Sequence, residues 1–122
     1  DLAGETLISY PVDRDRLDIF KQFLDPAGVE PLAIRNAELT VMMMQLVASG
    51  RGVCCLPNWA IAEYLQRGYV TARPLGADGL YGTLYAAVRE DMLEMSYLQD
   101  FLLTAKDTSF ATLDGVSAKI ST

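Results

Sequence analysis

Two spacings of apolar residues alternate along this chain, one suited to strands and one to helices. Thr6-Leu7-Ile8-Ser9-Tyr10 is a β-prone run stopped by Pro11, which cannot donate a ladder hydrogen bond. From Arg14 to Leu24, the residues Leu17, Phe20, Phe23 and Leu24 fall at helical spacing, and Pro26-Ala27-Gly28 ends that helix. A second strand fits around Leu32-Ala33-Ile34-Arg35-Asn36. Glu38 to Ser49 reads as a helix with an apolar side through Met43, Met44 and Val47. Gly50 falls where a helix C-cap wants a left-handed residue, and Gly52 lets the chain turn tightly into Val53. Val53-Cys54-Cys55-Leu56 does not alternate, as expected of a strand covered on both faces. Pro57 stops it, and Asn58 reads as the N-cap of a helix from Trp59 to about Arg67. Gly68 terminates that helix, and Tyr69 to Arg73 reads as another short strand.

After the turn Gly76-Ala77-Asp78-Gly79, Leu80 to Arg89 is a long extended run rich in aromatic and β-branched residues. Ser96-Tyr97-Leu98-Gln99 has the form of a capping box, and the helix it opens puts Leu98, Phe101, Leu102 and Ala105 on one face. Beyond Lys106 the periodicity fades, and Ser117 to Thr122 reads as a frayed tail. The order βαβαβαββα predicts an α/β fold with a mostly parallel, helix-flanked sheet.

Composition narrows what such a fold can do. The 122 residues are 51% hydrophobic and 21% charged, which suits a folded chain with one core. Ten basic residues are scattered among 16 acidic ones, for a net charge of −6, so direct nucleic-acid binding by this segment is not expected. Histidine is absent, which excludes a Ser-His-Asp triad and any His-ligated metal site. Cys54 and Cys55 are adjacent, which matches neither a zinc pattern nor a CxxC motif, and they read as small side chains alternating across a strand. Free thiols without a signal peptide point to a reducing cytoplasm. No stretch is long enough to span a membrane, and no cofactor is called for.

In an open α/β sheet, ligands sit beyond the carboxyl ends of the strands, beside helix starts. Three places qualify here: Tyr10-Pro11, Asn36 to Thr40, and Pro57 to Trp59. Unpaired helix amides there suit a carboxylate. Thr40 and Asn58 either add hydrogen bonds to a ligand or cap their own helices. Glu38 is either a dipole partner or a grip for a ligand ammonium, and in the second case the site recognises an α-amino acid. Trp59 is a core anchor or an apolar pocket wall. Gly50-x-Gly52 follows a helix and opens a strand, the reverse of a dinucleotide fingerprint. Met42-Met43-Met44 cannot converge on one ion from a helix, and these residues read as core filling.

The stretch Leu46-Val47-Ala48-Ser49-Gly50-Arg51-Gly52-Val53-Cys54-Cys55-Leu56-Pro57 resembles the LVxxGxGxxxLP signature in the effector-binding domain of LysR-type transcriptional regulators. Glu5 to Val12, Phe23 to Val29 and Leu84 to Arg89 look like the homocysteine-responsive methionine regulators of the MetR type. The resemblance runs from about Asp1 to Ala105 and implies a type 2 periplasmic-binding-protein-like fold. It implies an effector-binding subdomain over residues 1–82, a crossover strand and helix over 83–112, and a flexible tail over 113–122. Effector contacts in that pattern match Glu38, Leu39 and Thr40, with Asn58 and Trp59 bordering the cleft; Tyr10 and Pro57 join the expected effector-binding residues from their places at the strand ends. MetR-type relatives often carry His where this chain has Asn58, which puts an imidazole-based role in question. The resemblance further implies a non-enzymatic, cytoplasmic sensor domain that binds homocysteine and controls methionine biosynthesis genes. DNA would be bound only through an N-terminal winged helix-turn-helix outside this segment, in a homo-oligomer. A periplasmic-type solute-binding protein for a small amino acid or anion is the alternative.

Overall fold

A computed structural model describes residues 1–118. The described residues fall into two compact units, the first Asp1–Tyr81 and the second beginning at Gly82.

In the first unit, β1 (Thr6–Ser9), β2 (Ala33–Asn36) and β3 (Val53–Cys54) form a parallel sheet in the order β2-β1-β3. Thr6 to Ser9 pair with Ala33 to Asn36, and Leu7 and Ile8 pair with Val53 and Cys54. The chain moves one way along the sheet from β1 to β2 and the other way from β2 to β3. Right-handed crossovers in opposite directions put their helices on opposite faces. The core divides accordingly. Leu7 packs with Ile19, Phe20 and Leu24 on one face, and Ile8 packs with Met43, Met44 and Ile61 on the other.

The first crossover starts with a 3-10 turn at Arg14–Arg16 and continues as a π-type segment, Ile19–Leu24, into the single turn α1 (Asp25–Ala27). Pro26 has no amide to offer the carbonyl of Gln22, and just ahead of it the bonding widens, with the Asp25 amide reaching Phe20. Gly28, at φ 63°, closes the end in the left-handed conformation. The second crossover is α2 (Thr40–Ala48), and α3 (Asn58–Gln66) follows β3. Met43 and Met44 are fully buried, as core filling predicts, but Met42 is exposed and does not share that role, because its position on α2 turns it away from the sheet.

Several expected elements are shorter or absent. The run Val53 to Leu56 contributes only two residues to the ladder and is half-buried. Its side chains still alternate, with Val53 and Cys55 toward Phe20 and Cys54 and Leu56 toward Met43. Tyr69 to Arg73 is not a strand. The Tyr69 amide bonds the Tyr64 carbonyl at 2.9 Å, so the chain is still closing α3 where a strand was expected. Leu80 to Arg89 pairs with no strand among the described residues, and Tyr81, Leu84 and Tyr85 are exposed.

The second unit is built on α4 (Ser96–Thr112), six residues longer than the periodicity reaches past Lys106, preceded by a 3-10 turn at Glu90–Met92. The expected capping box does not form. Ser96 is already the first helical residue behind Met95, and the Gln99 side chain donates through Nε2 to the Leu93 carbonyl instead. Phe101 is exposed, and α4 has no buried residue. Of the expected tail over 113–122, residues 119–122 lie outside the described residues.

Candidate functional site

Because all three strands run parallel, their carboxyl ends share one edge of the sheet. Tyr10 follows β1; Glu38, Leu39 and Thr40 follow β2; Pro57, Asn58 and Trp59 follow β3. The crossovers from β1 and β3 depart to opposite faces, which makes the end of β1 beside β3 a topological switch point of the kind where α/β sheets hold ligands.

The loop after β2 decides where Glu38 and Thr40 lie. The Ala37 amide donates to the Ser9 carbonyl at 2.9 Å, extending the strand pairing past Asn36. Glu38 and Leu39 therefore make the bend, and α2 starts at Thr40 rather than at Glu38. Leu39 occupies the N-cap with no side-chain bond, and no acidic residue lies in the first turn of α2. Glu38 is exposed, stands ahead of the cap, and has no ion pair among the described residues. Its position does not match that of a first-turn dipole partner.

Thr40 is half-buried and serves no cap. Its hydroxyl lies 2.6 Å from the Tyr10 phenol oxygen, so two of the expected site residues from different loops are joined directly. One step deeper, the Ser9 hydroxyl donates to Asn36 Oδ1 at 3.5 Å across the paired ends of β1 and β2. Ser9 is the one buried polar residue among those described, and pattern reasoning missed it because a serine inside a β-prone run looks like any other strand residue.

Asn58 does not occupy the N-cap either. The Pro57 carbonyl accepts the Ala60 amide at 3.0 Å, which makes Pro57 the cap and leaves Asn58 exposed as the first helical residue without a capping bond. Trp59 is half-buried and belongs to neither core cluster. Beside these positions, Asn36, Ala37, Glu38, Leu39, Met42 and Leu46 line an open depression of about 420 Å³. Ala37 lies within the expected Asn36 to Thr40 stretch, whereas the sequence did not mark Met42 or Leu46 as site residues; their spacing, four apart on α2, was the available signal.

Burial raises the Cys54 thiol to about 11, with the neighbouring Cys55 adding to the effect, and burial first and Asp18 second raise Cys55. Both groups are therefore protonated at neutral pH and poor nucleophiles. A thiol that titrates higher when folded keeps its contribution to stability below its ordinary value of 9.0 and loses it as pH rises toward about 11. At pH 8, iodoacetamide should label Cys54 at least about tenfold more slowly in the folded protein than in urea, since two units of pKa lower the thiolate fraction about a hundredfold. Equal rates measured by mass spectrometry would contradict this. Among the described residues no group of His, Cys, Asp and Glu is placed to hold a metal ion, and no helix is long and apolar enough to cross a membrane.

The LysR substrate binding domain family model matches residues 1–109. The HTH-type transcriptional regulator MetR of Haemophilus influenzae is 47% identical over 117 residues, covering 96% of this chain and 38% of that protein. The HTH-type transcriptional regulator MetR of Salmonella typhimurium is 40% identical over 107 residues, covering 88% of this chain and 33% of that protein. The regulatory domain of MetR, a LysR family regulator from N. meningitidis, superimposes with a TM-score of 0.82 at 45% identity, over 96% of this chain and 54% of that one. The chain thus spans 38% of the length of the Haemophilus relative. These relatives are transcriptional regulators and not enzymes.

Proposed function

The chain belongs to the LysR substrate-binding-domain family, and from that premise we propose that it is the effector-sensing part of a DNA-binding regulator that responds to homocysteine and controls methionine biosynthesis genes. The observation that carries this reading is the gathering of Tyr10, Glu38 to Thr40 and Pro57 to Trp59 behind the carboxyl ends of three parallel strands. An α-amino acid suits that edge. Its carboxylate lies against the first amides of α2 and the Thr40 hydroxyl, its ammonium against Glu38, and its thiol-bearing arm against the apolar walls near Leu39 and Trp59. No side chain caps α2 or α3, which leaves the Thr40 and Asn58 side chains for this in place of the helix-capping use their residue types suggest.

Sensing then works by population shift. A ligand that binds one arrangement of the full regulator better than another moves the equilibrium by its difference in affinity, and DNA-binding segments outside this chain report the change. The full protein is a homo-oligomer that acts in the cytoplasm; the exposed apolar residues of α4 support association. The regulator reading is favoured over a solute-binding protein because the relatives carry regulator names.

Glu38→Ala in the full-length regulator should weaken L-homocysteine binding at least about tenfold in calorimetry, the loss of one charge-assisted hydrogen bond. Unchanged affinity would remove Glu38 from the site.

A further inference from the structure

Tyr10 is held at both ends. Its carbonyl accepts the Val12 amide at 2.9 Å in the turn that leaves β1, and its ring packs against the cluster of Ile8, Met43, Met44 and Ile61. The phenol oxygen at the far end of that fixed ring lies 2.6 Å from the Thr40 hydroxyl, and either atom can donate. The Thr40 side chain makes no bond to its own helix among the described residues, and the phenol is its one hydrogen-bond partner there. The two hydroxyls carry two protons between them and spend one on their mutual bond. One proton remains for a third group, and a carboxylate oxygen accepts it.

We infer that Tyr10 is a positioning residue of the effector site, whose phenol orients the Thr40 hydroxyl toward a carboxylate on the ligand without touching the ligand itself. This rests on the proposed placement of the effector's carboxylate at the start of α2. The packing supports an indirect role. A half-buried ring packed on the cluster of Ile8, Met43, Met44 and Ile61 is restrained from following a ligand, whereas it can hold one rotamer of a threonine that is otherwise free to turn. A free Thr40 hydroxyl would divide its time among staggered positions and water, and would offer the ligand a weaker donor.

The test is a double-mutant cycle in the full-length regulator, read by calorimetry with L-homocysteine and by thermal melting. Tyr10→Phe keeps the ring packed against the cluster and removes the phenol oxygen alone; Thr40→Val removes the hydroxyl. Thr40→Val should bind about tenfold more weakly, as loss of one hydrogen bond to a charged group implies, and Tyr10→Phe should approach the same loss because the Thr40 hydroxyl is no longer held toward the ligand. The double variant should bind no more weakly than Thr40→Val, and Thr40→Ser should keep the wild-type affinity. Losses that multiply to about a hundredfold in the double variant would mean that Tyr10 contacts the ligand on its own, which overturns the inference and spares the site. A loss in Thr40→Val with none in Tyr10→Phe would overturn it in the same way. No loss in either variant, with the unsubstituted protein binding normally, would place the carboxylate elsewhere. Absence of binding by the unsubstituted protein would overturn the homocysteine reading itself, and the inference with it.

Discussion

Gly52→Ala should destabilise the first unit by about 3 kcal/mol or more, enough to leave much of the chain unfolded. A methyl group added at Gly52 would stand 2.5 Å from the Thr6 carbonyl oxygen and 3.2 Å from the Ile8 side chain, at a φ of 154°. The carbonyl cannot retreat, because Thr6 is paired with Ala33 at the start of the central strand. Steric overlap and an unfavourable backbone angle therefore act together. Gly50→Ala provides the contrast. Gly50 sits at φ 72° with nothing within 4 Å, so that substitution should cost only the left-handed penalty of about 1–2 kcal/mol. Urea unfolding followed by the fluorescence of Trp59, the single tryptophan of the chain, measures both. Equal losses would mean that the approach of β3 to β1 is looser than the structure has it. The Gly-x-Gly turn thus has two jobs in two residues, an end for α2 and a close backbone contact, and neither involves a ligand.

Much of the fold follows from local pattern. Leu7 and Ile8 were adjacent apolar residues in a β-prone run, and a strand must send them to opposite faces, as they do. The helix stripe of Phe20 and Leu24 and that of Met43, Met44 and Val47 each became the wall of one core layer. What failed depended either on partners far away in sequence or on a nearby backbone group taking the bond first. Whether Leu80 to Arg89 forms a strand is decided by a ladder neighbour, and none is present among the described residues. Tyr69 was claimed by the closing turn of α3 before any strand could use its amide. Helix starts moved for a related reason. The ladder bond from Ala37 to Ser9 delayed α2 to Thr40, and the Pro57 carbonyl took the capping position that Asn58 suggested.

The candidate site was legible to a similar depth. Its residues could be assigned from the general rule that ligands lie beyond parallel strand ends, which requires only the strand order. The bond between Tyr10 and Thr40, thirty residues apart in sequence, depends on how β1 and α2 meet, and no local spacing encodes it. The buried Ser9 beside Asn36 is hidden for the same reason.

Phe20→Ala should cost about 3–5 kcal/mol, since it empties a fully buried aromatic position that the surrounding chain cannot refill. The ring lies between Leu7, Ile19 and Leu24, and the guanidinium of Arg14 rests over it at 4.3 Å from its centre. Arg14 also reaches Asp25 and Glu30, with 2.7 Å to a Glu30 oxygen, and holds the Glu30 carboxyl below its ordinary range through that hydrogen bond. All three of these charged side chains are more than a third exposed, so solvent screens the pairs. A carboxylate with a lowered folded value gives its stability above its ordinary 4.5 and loses it as pH falls further. Two responses should therefore separate. The Phe20→Ala loss persists from neutral pH into acid, because it is a cavity in an apolar layer. Arg14→Ala should cost much less at pH 7, and the difference between it and the unsubstituted chain should shrink as Glu30 is protonated. Urea midpoints for both variants at pH 7 and pH 4 distinguish them. A Phe20→Ala loss no larger than that of Arg14→Ala would mean that the first core layer is held by its charged rim rather than by its apolar packing.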